Sequence, residues 1–137
     1  MSIKSATPYF LLNGRTEQAI ALYQRALGAK TESLQRFGDV DGSCPTAMRN
    51  RVMHAMLRVG NAVLMMSDGP EDVKLPEGGN VSVALDFETP AALRQSVEAL
   101  AATGKVLERV FEAPWGALFG VVQDEFGIQW MVTSPLK

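Results

Sequence analysis

The spacing of apolar positions changes along the chain, and the changes repeat. Residues 6–14, ATPYFLLNG, are a continuous apolar and aromatic run that ends at Asn13-Gly14, the pattern of a buried strand closed by a turn. From there Ala19, Ile20, Tyr23, Ala26 and Leu27 recur at i, i+3 and i+4, which lays one apolar stripe along a helix. Thr16 or a neighbour begins that helix, Glu17 suits the positive end of its dipole, and Gly28 supplies a left-handed stop. Residues 29–37 alternate imperfectly and predict a second strand. Residues 38–50 hold Gly38, Asp39, Asp41, Gly42, Ser43 and Pro45 and predict an irregular loop. Two apolar runs, RVMHAMLRV and AVLMMSD, then flank Gly60-Asn61, a pair suited to positive φ, and predict a hairpin. Another turn-rich stretch, GPEDVKLPEGG, follows.

The order then recurs. NVSVALDF (80–87) predicts a strand, and Thr89-Pro90 is a strong helix start, threonine as N-cap and proline in the first helical position. Leu93, Val97 and Leu100 give the stripe, Gly104 ends it, and KVLERVFEA (105–113) predicts a strand. ALFGVVQ and IQWMVTS form a second hairpin around DEFG. Residues 6–67 and 80–134 therefore each predict strand, helix and three strands. Overlaying Thr16 on Thr89 brings Ile20 onto Leu93 and Leu27 onto Leu100. The matching order suggests an internal duplication. The expected fold class is α+β: two tandem βαβββ modules in a single domain spanning 1–137, forming a curved mixed sheet whose concave cup can hold a ligand.

Composition narrows the partners. A chain of 137 residues fits one domain and can bury roughly two-thirds of its unfolded surface. The net charge is −2 and no run of lysine and arginine occurs, so neither nucleic acid nor an anionic membrane is an expected partner. Nothing approaches the ~20 apolar residues of a membrane span, and MSIKSATPYFLL lacks the pattern of a signal peptide. Cys44 is the only cysteine, so no intrachain disulfide forms, and it has no neighbouring group to activate it. A cytoplasmic location is expected. DVDG lacks the later oxygen ligands of a calcium loop. GRT lacks the spacing of a phosphate loop.

A tandem βαβββ repeat with AIALYQRALGAK in its first helix resembles the vicinal oxygen chelate superfamily, which includes glyoxalase I, bleomycin- and fosfomycin-resistance proteins and extradiol dioxygenases. YFLLNGRTEQAI, MHAMLRVGNAVLMMSDG and PWGALFGVVQDEFGIQW make the chain most similar to the PhnB-like branch. The resemblance covers nearly the whole chain and implies a homodimer. It also implies four metal-ligand positions facing the cup, which fall on Pro8, Met65, Asn80 and Met131. Proline has no side-chain donor, thioethers are soft ligands suited to copper(I), and Asn80 offers one weak oxygen. The hard divalent metal of the superfamily is therefore not expected, and no cofactor is. Branch members are often described as methyltransferases of ubiquinone biosynthesis, but no cofactor-binding glycine loop occurs here. DEFG departs from the relatives' common DPFG, with Glu125 in place of proline and Ile128 in place of a frequent histidine.

Several residues read in two ways. His54, the only histidine, shares a strand face with Met56 and Arg58, while Met53, Ala55 and Leu57 share the other. It is a packed or interface residue or a ligand contact, and its hairpin offers no closely spaced carboxylate or thiolate with which one histidine could build a transition-metal site. Met65 and Met131 line the cup or fill the core, and Met66 belongs to the core. Trp130, one step from Met131, points to the core. Trp115, between Pro114 and Gly116, can close over a ligand, meet a dimer partner or pack locally. Asp68 and Asp124 sit at strand ends and read as turn acceptors for backbone amides. The preferred function is metal-independent binding of a small molecule in a cup lined by Tyr9, His54, Met65, Asn80, Trp115 and Met131. The alternative is a superfamily enzyme of lyase, isomerase or transferase type, with catalytic residues unknown.

Overall fold

Strand pairing in the computed structural model follows the repeated order. Residues 2–69, 76 and 78–137 are described, and the chain divides into two units, Met1–Leu75 and Pro76–Lys137, with one module in each. Most of the loop expected at 69–79 lies outside the described residues.

The first unit holds β1 (Tyr9–Leu11), α1 (Thr16–Leu27), β2 (Lys30–Arg36), α2 (Phe37–Val40), α3 (Thr46–Arg49), β3 (Val52–Val59) and β4 (Ala62–Ser67). Its sheet runs β1-β4-β3-β2, with β1 parallel to β4 and the other pairs antiparallel. The second unit repeats the plan with β5 (Ser82–Asp86), α4 (Pro90–Ala101), β6 (Lys105–Ala113), β7 (Ala117–Gln123) and β8 (Gln129–Pro135), in the order β5-β8-β7-β6. Both parallel strand pairs are bridged by a crossover, and the hairpins supply the antiparallel pairs.

Each sheet keeps one face for its helix. In the first unit Ala19, Ile20, Tyr23 and Ala26 of α1 are buried, as are Phe10, Ala55, Leu57, Leu64 and Met66 from the strands. In the second, Leu93 of α4 packs with Leu118 and Val132, and Leu85, Phe87, Val97 and Val110 close round them. Burying a large apolar side chain contributes about 1.5–3 kcal/mol, so these stripes account for most of what holds each helix down. Because α1 starts at Thr16 and α4 at Pro90, Ala19 matches Leu93, Tyr23 matches Val97 and Ala26 matches Leu100. The overlay of Thr16 on Thr89 is thus one residue out of phase: Thr89 is an N-cap whose Oγ1 accepts from the Ala92 amide at 3.1 Å, whereas Thr16 is already inside its helix and Arg15 is the N-cap.

Other expectations need adjusting. β1 is shorter than 6–14 suggests, and the span 38–50 is not wholly irregular, since it contains most of α2 and all of α3. Asp41 between them forms a local turn, accepting from the Ser43 hydroxyl at 2.6 Å and the Ser43 amide at 3.0 Å. Those two bonds, the hydroxyl first, hold its carboxyl below the usual range. In the hairpin turn Gly60 takes a positive φ but Asn61 does not, while Asn13 and Gly14 both do. Gly104 lies three residues past the end of α4 and has no positive φ; what requires glycine there is space, since a Cβ would lie 2.1 Å from the Gln123 carbonyl oxygen and 2.8 Å from the Asp124 Cα. Gly104→Ala is expected to destabilise the protein by about 1–3 kcal/mol through overpacking against backbone. Urea unfolding checks this, and a loss under about 0.5 kcal/mol would mean that β6 and β7 do not need this approach.

Candidate functional site

The face of each sheet turned away from its helix carries the residues with binding chemistry. In the first unit Tyr9 is in register with Met65, and Met65 with Met56 on the next strand. His54 lies two residues before Met56, on the same face, opposite Gln35 of β2. The Tyr9 ring reaches across β4 to the His54 imidazole, with centroids 5.8 Å apart. Tyr9 is exposed, and His54, Met56 and Met65 are half-buried. The structure thus brings three of the six expected ligand contacts, Tyr9, His54 and Met65, into one patch. Arg58, at the far end of the same row, is paired with Glu32.

The second unit carries a different patch. Met131 of β8 lies in register with Ala84 on one side and Val121 on the other. Phe119 on β7 pairs in register with Phe111 on β6 and Thr133 on β8. The rings of Phe111 and Phe119 meet edge-on at 6.2 Å, and Trp115 meets Phe119 edge-on at 5.7 Å. Trp115 is 65% exposed and Met131 37%. Met131 thus shares the face of Phe119, one pleat along beside Val121, and Trp115 meets the Phe119 ring from the turn before β7; the apolar body of the patch is supplied by Phe111 and Phe119, which sequence reading missed. The signal was present for Phe119: it alternates with the buried Leu118 and Gly120. Phe111 was obscured by two register shifts in β6, between Val106 and Glu108 and between Glu108 and Phe111.

Asn80 is not part of either patch. It sits in a bend ahead of β5, which begins at Ser82, and Ala84 occupies the place beside Met131. On the first sheet it is Tyr9, one residue on from Pro8, that lies beside Met65. Neither correction supplies a strong hard-metal donor set: a phenol, an alanine and two thioethers replace a proline, an amide and two thioethers. Among the described residues no group of three or more His, Cys, Asp and Glu side chains is placed to hold a metal. The donors present on these faces do not fit a nickel, iron, manganese or zinc centre.

The two buried aspartates belong to the scaffold behind the patches. Asp68 Oδ1 accepts from the Thr16 amide at 2.9 Å, and Oδ2 accepts from the Val52 amide at 2.7 Å. Asp124 Oδ1 accepts from the Phe126 and Ile128 amides, and Oδ2 from the indole Nε1 of Trp130 at 2.9 Å. Asp124 is a turn acceptor as the sequence implies, and also an anchor for Trp130, which is fully buried. Met66 is likewise fully buried, as expected of a core residue. Cys44 is half-buried between α2 and α3. No helix among the described residues is long and apolar enough to cross a membrane.

The family model of the Glyoxalase/Bleomycin resistance protein/Dioxygenase superfamily matches residues 6–132. The chain is 32% identical over 136 residues to Protein YjdN of Escherichia coli (strain K12), covering 92% of each chain. The crystal structure of protein PA1353 from Pseudomonas aeruginosa superposes with a TM-score of 0.84 at 31% identity, covering 98% of both chains. A Bacillus cereus PhnB protein, described as a putative 3-demethylubiquinone-9 3-methyltransferase, has a TM-score of 0.79 at 20% identity, over 96% of this chain and 99% of that one. That last likeness shows a shared fold.

Proposed function

Because the chain belongs to the Glyoxalase/Bleomycin resistance protein/Dioxygenase superfamily, and its two open sheet faces carry soft and aromatic side chains, we propose that it binds a small molecule without the help of a divalent metal. The observation that carries this reading is the edge-on cluster of Phe111, Phe119 and Trp115, with Met131 one pleat along the same sheet face. An indole two-thirds exposed, propped by two phenylalanines, is a surface on which a flat or apolar ligand can stack. In the first unit Tyr9, His54 and Met65 form a surface of their own, whose hydroxyl and imidazole suit a ligand with a polar group. Methionine on both faces favours a ligand of variable shape, since thioether side chains adapt to what they touch. In this reading the protein acts in the cytoplasm as a homodimer. The outermost strands of each sheet, β2 and β6 among them, give a physical reason for pairing.

The test uses the two tryptophans. With 5-fluorotryptophan incorporated, each gives its own fluorine resonance, and a broad metabolite library is screened for compounds that move one of them. A ligand is expected to shift Trp115 saturably and leave the buried Trp130 unmoved. Trp115→Ala is expected to weaken that ligand about tenfold, a loss of about 1.4 kcal/mol that matches one aromatic contact. Chelator treatment should leave the affinity unchanged. A library that moves neither resonance would sink the binding reading, and binding restored only by added nickel, zinc or manganese would sink its metal independence. The Tyr9–His54 contact favours one second reading, a superfamily enzyme: turnover of the bound compound that disappears in His54→Gln would establish it.

A further inference from the structure

We propose that the open face of the first sheet holds a binding site for a soft monovalent cation, copper(I) or silver(I), built from His54, Met56 and Met65. Met56 and Met65 are direct register partners on adjacent antiparallel strands. Such partners have Cβ atoms about 4.5–5.5 Å apart, and each thioether has three rotatable bonds with which to turn its sulfur toward a shared point. His54 stands two residues before Met56, so its imidazole projects from the same face one pleat away and diagonally from Met65. All three are half-buried, neither locked into the helix-side core nor fully solvated. Tyr9 closes the fourth side: it is the register partner of Met65, and its ring touches the His54 ring at 5.8 Å.

The donor set decides which ion fits. Two thioethers and one neutral imidazole carry no charge, and thioethers are poor ligands for hard cations but good ones for copper(I). The surrounding register positions reinforce the choice. Ser33 lies opposite Met56 and Gln35 opposite His54, so no carboxylate is in register with the three donors. The nearby Arg58 guanidinium is engaged by Glu32. A divalent ion would enter this neutral set with nothing to balance its second charge, whereas a monovalent soft ion meets its preferred atoms. The Tyr9 ring can present its electron-rich face to such a cation. Met66, the next residue on β4, points the other way and is fully buried, so the site draws on alternate methionines of the MM pair. This inference uses Met56, which the proposed small-molecule role does not, and does not rest on that role.

The experiment titrates the full chain, its methionine ε-methyl groups labelled with carbon-13, with silver(I), and in parallel anaerobically with copper(I) against a chromogenic copper(I) chelator. One ion per chain is expected, with the Met56 and Met65 methyl signals shifting together and those of Met53, Met66 and Met131 unmoved. Met56→Leu and Met65→Leu keep the side-chain volume. Each is expected to weaken binding at least tenfold, and His54→Gln to do the same, while a large excess of zinc leaves the site occupied by silver. Cys44 is the competing soft donor, so the titration is repeated in Cys44→Ser. Binding that survives in Cys44→Ser with the same two methyl shifts supports the site. Binding lost in Cys44→Ser, methyl signals that stay still on the unmodified chain, or ready displacement by zinc would each overturn it.

Discussion

Replacing Asp68 by alanine is expected to destabilise the protein by about 3–5 kcal/mol. Its carboxylate is buried and accepts from two amides that no local turn brings together, Thr16 at the start of α1 and Val52 at the start of β3. A buried amide left without an acceptor costs about 1–3 kcal/mol, and the alanine strands two. A favourable interaction of the carboxylate with the helix N-terminus, about 0.3–1 kcal/mol or more when partly buried, is lost with them. The backbone of the same residue, which the alanine keeps, joins the same elements: the Gly14 amide donates to the Asp68 carbonyl at 3.0 Å, the Asp68 amide donates to the Val52 carbonyl, and Arg51 Nη2 donates to the Asp68 and Gly69 carbonyls. Asp68→Asn keeps one acceptor oxygen and is expected to lose less, about 1–3 kcal/mol. Urea unfolding monitored by circular dichroism ranks the two. If alanine and asparagine both fall within 0.5 kcal/mol of the parent, the carboxylate does not join these elements.

Asp68 also marks where sequence reading stops. The change of period from strand to helix, Gly28 at the end of α1 and the Thr89-Pro90 start of α4 are decided by neighbours within a turn, and all were legible. A cap for α1 supplied from 52 residues away is not. Thr16 was the natural candidate by type, but its amide is the donor rather than its hydroxyl the acceptor. The Glu32-paired Arg58 and the Tyr9–His54 contact are cross-strand facts of the same kind, set by register. Register in turn was blurred where the strands carry extra residues. On β3, Gln35 pairs with His54 but Arg36 with Val52, so Met53 has no partner of its own and the alternation that assigned it to a face breaks there. The same kind of shift in β6 hid Phe111. The two candidate patches are therefore only partly legible in the sequence: Tyr9, Met65, His54 and Met131 share the faces turned from the helices and Trp115 stands in the turn beside Phe119, while the positions that the resemblance puts on Pro8 and Asn80 belong to Tyr9 and Ala84 in the register.

In the second unit the largest effect is expected at Trp130, where Trp130→Ala should cost about 3–5 kcal/mol and Trp130→Phe about half of that. The alanine empties a site with no exposure in a close-packed interior, so it loses both the transfer energy of the indole and the contacts of the walls around it. Phenylalanine keeps most of the volume and removes the indole N–H that donates to Asp124 Oδ2 at 2.9 Å. A hydrogen bond to a charged group contributes about 1.5–3 kcal/mol, which sets the smaller loss. The other oxygen of Asp124 holds the Phe126 and Ile128 amides, so the turn between β7 and β8 and the indole share one carboxylate. A double-mutant cycle of Trp130→Phe with Asp124→Asn should then show coupling of about 1 kcal/mol or more. Additive losses would mean that the two residues stabilise the hairpin independently. Coupling would mean that the turn fixes the indole, and with it the strand whose opposite face carries Met131. In that case Trp130→Phe should also broaden the Met131 methyl signal in the folded protein, a readout that loss of stability alone would leave sharp.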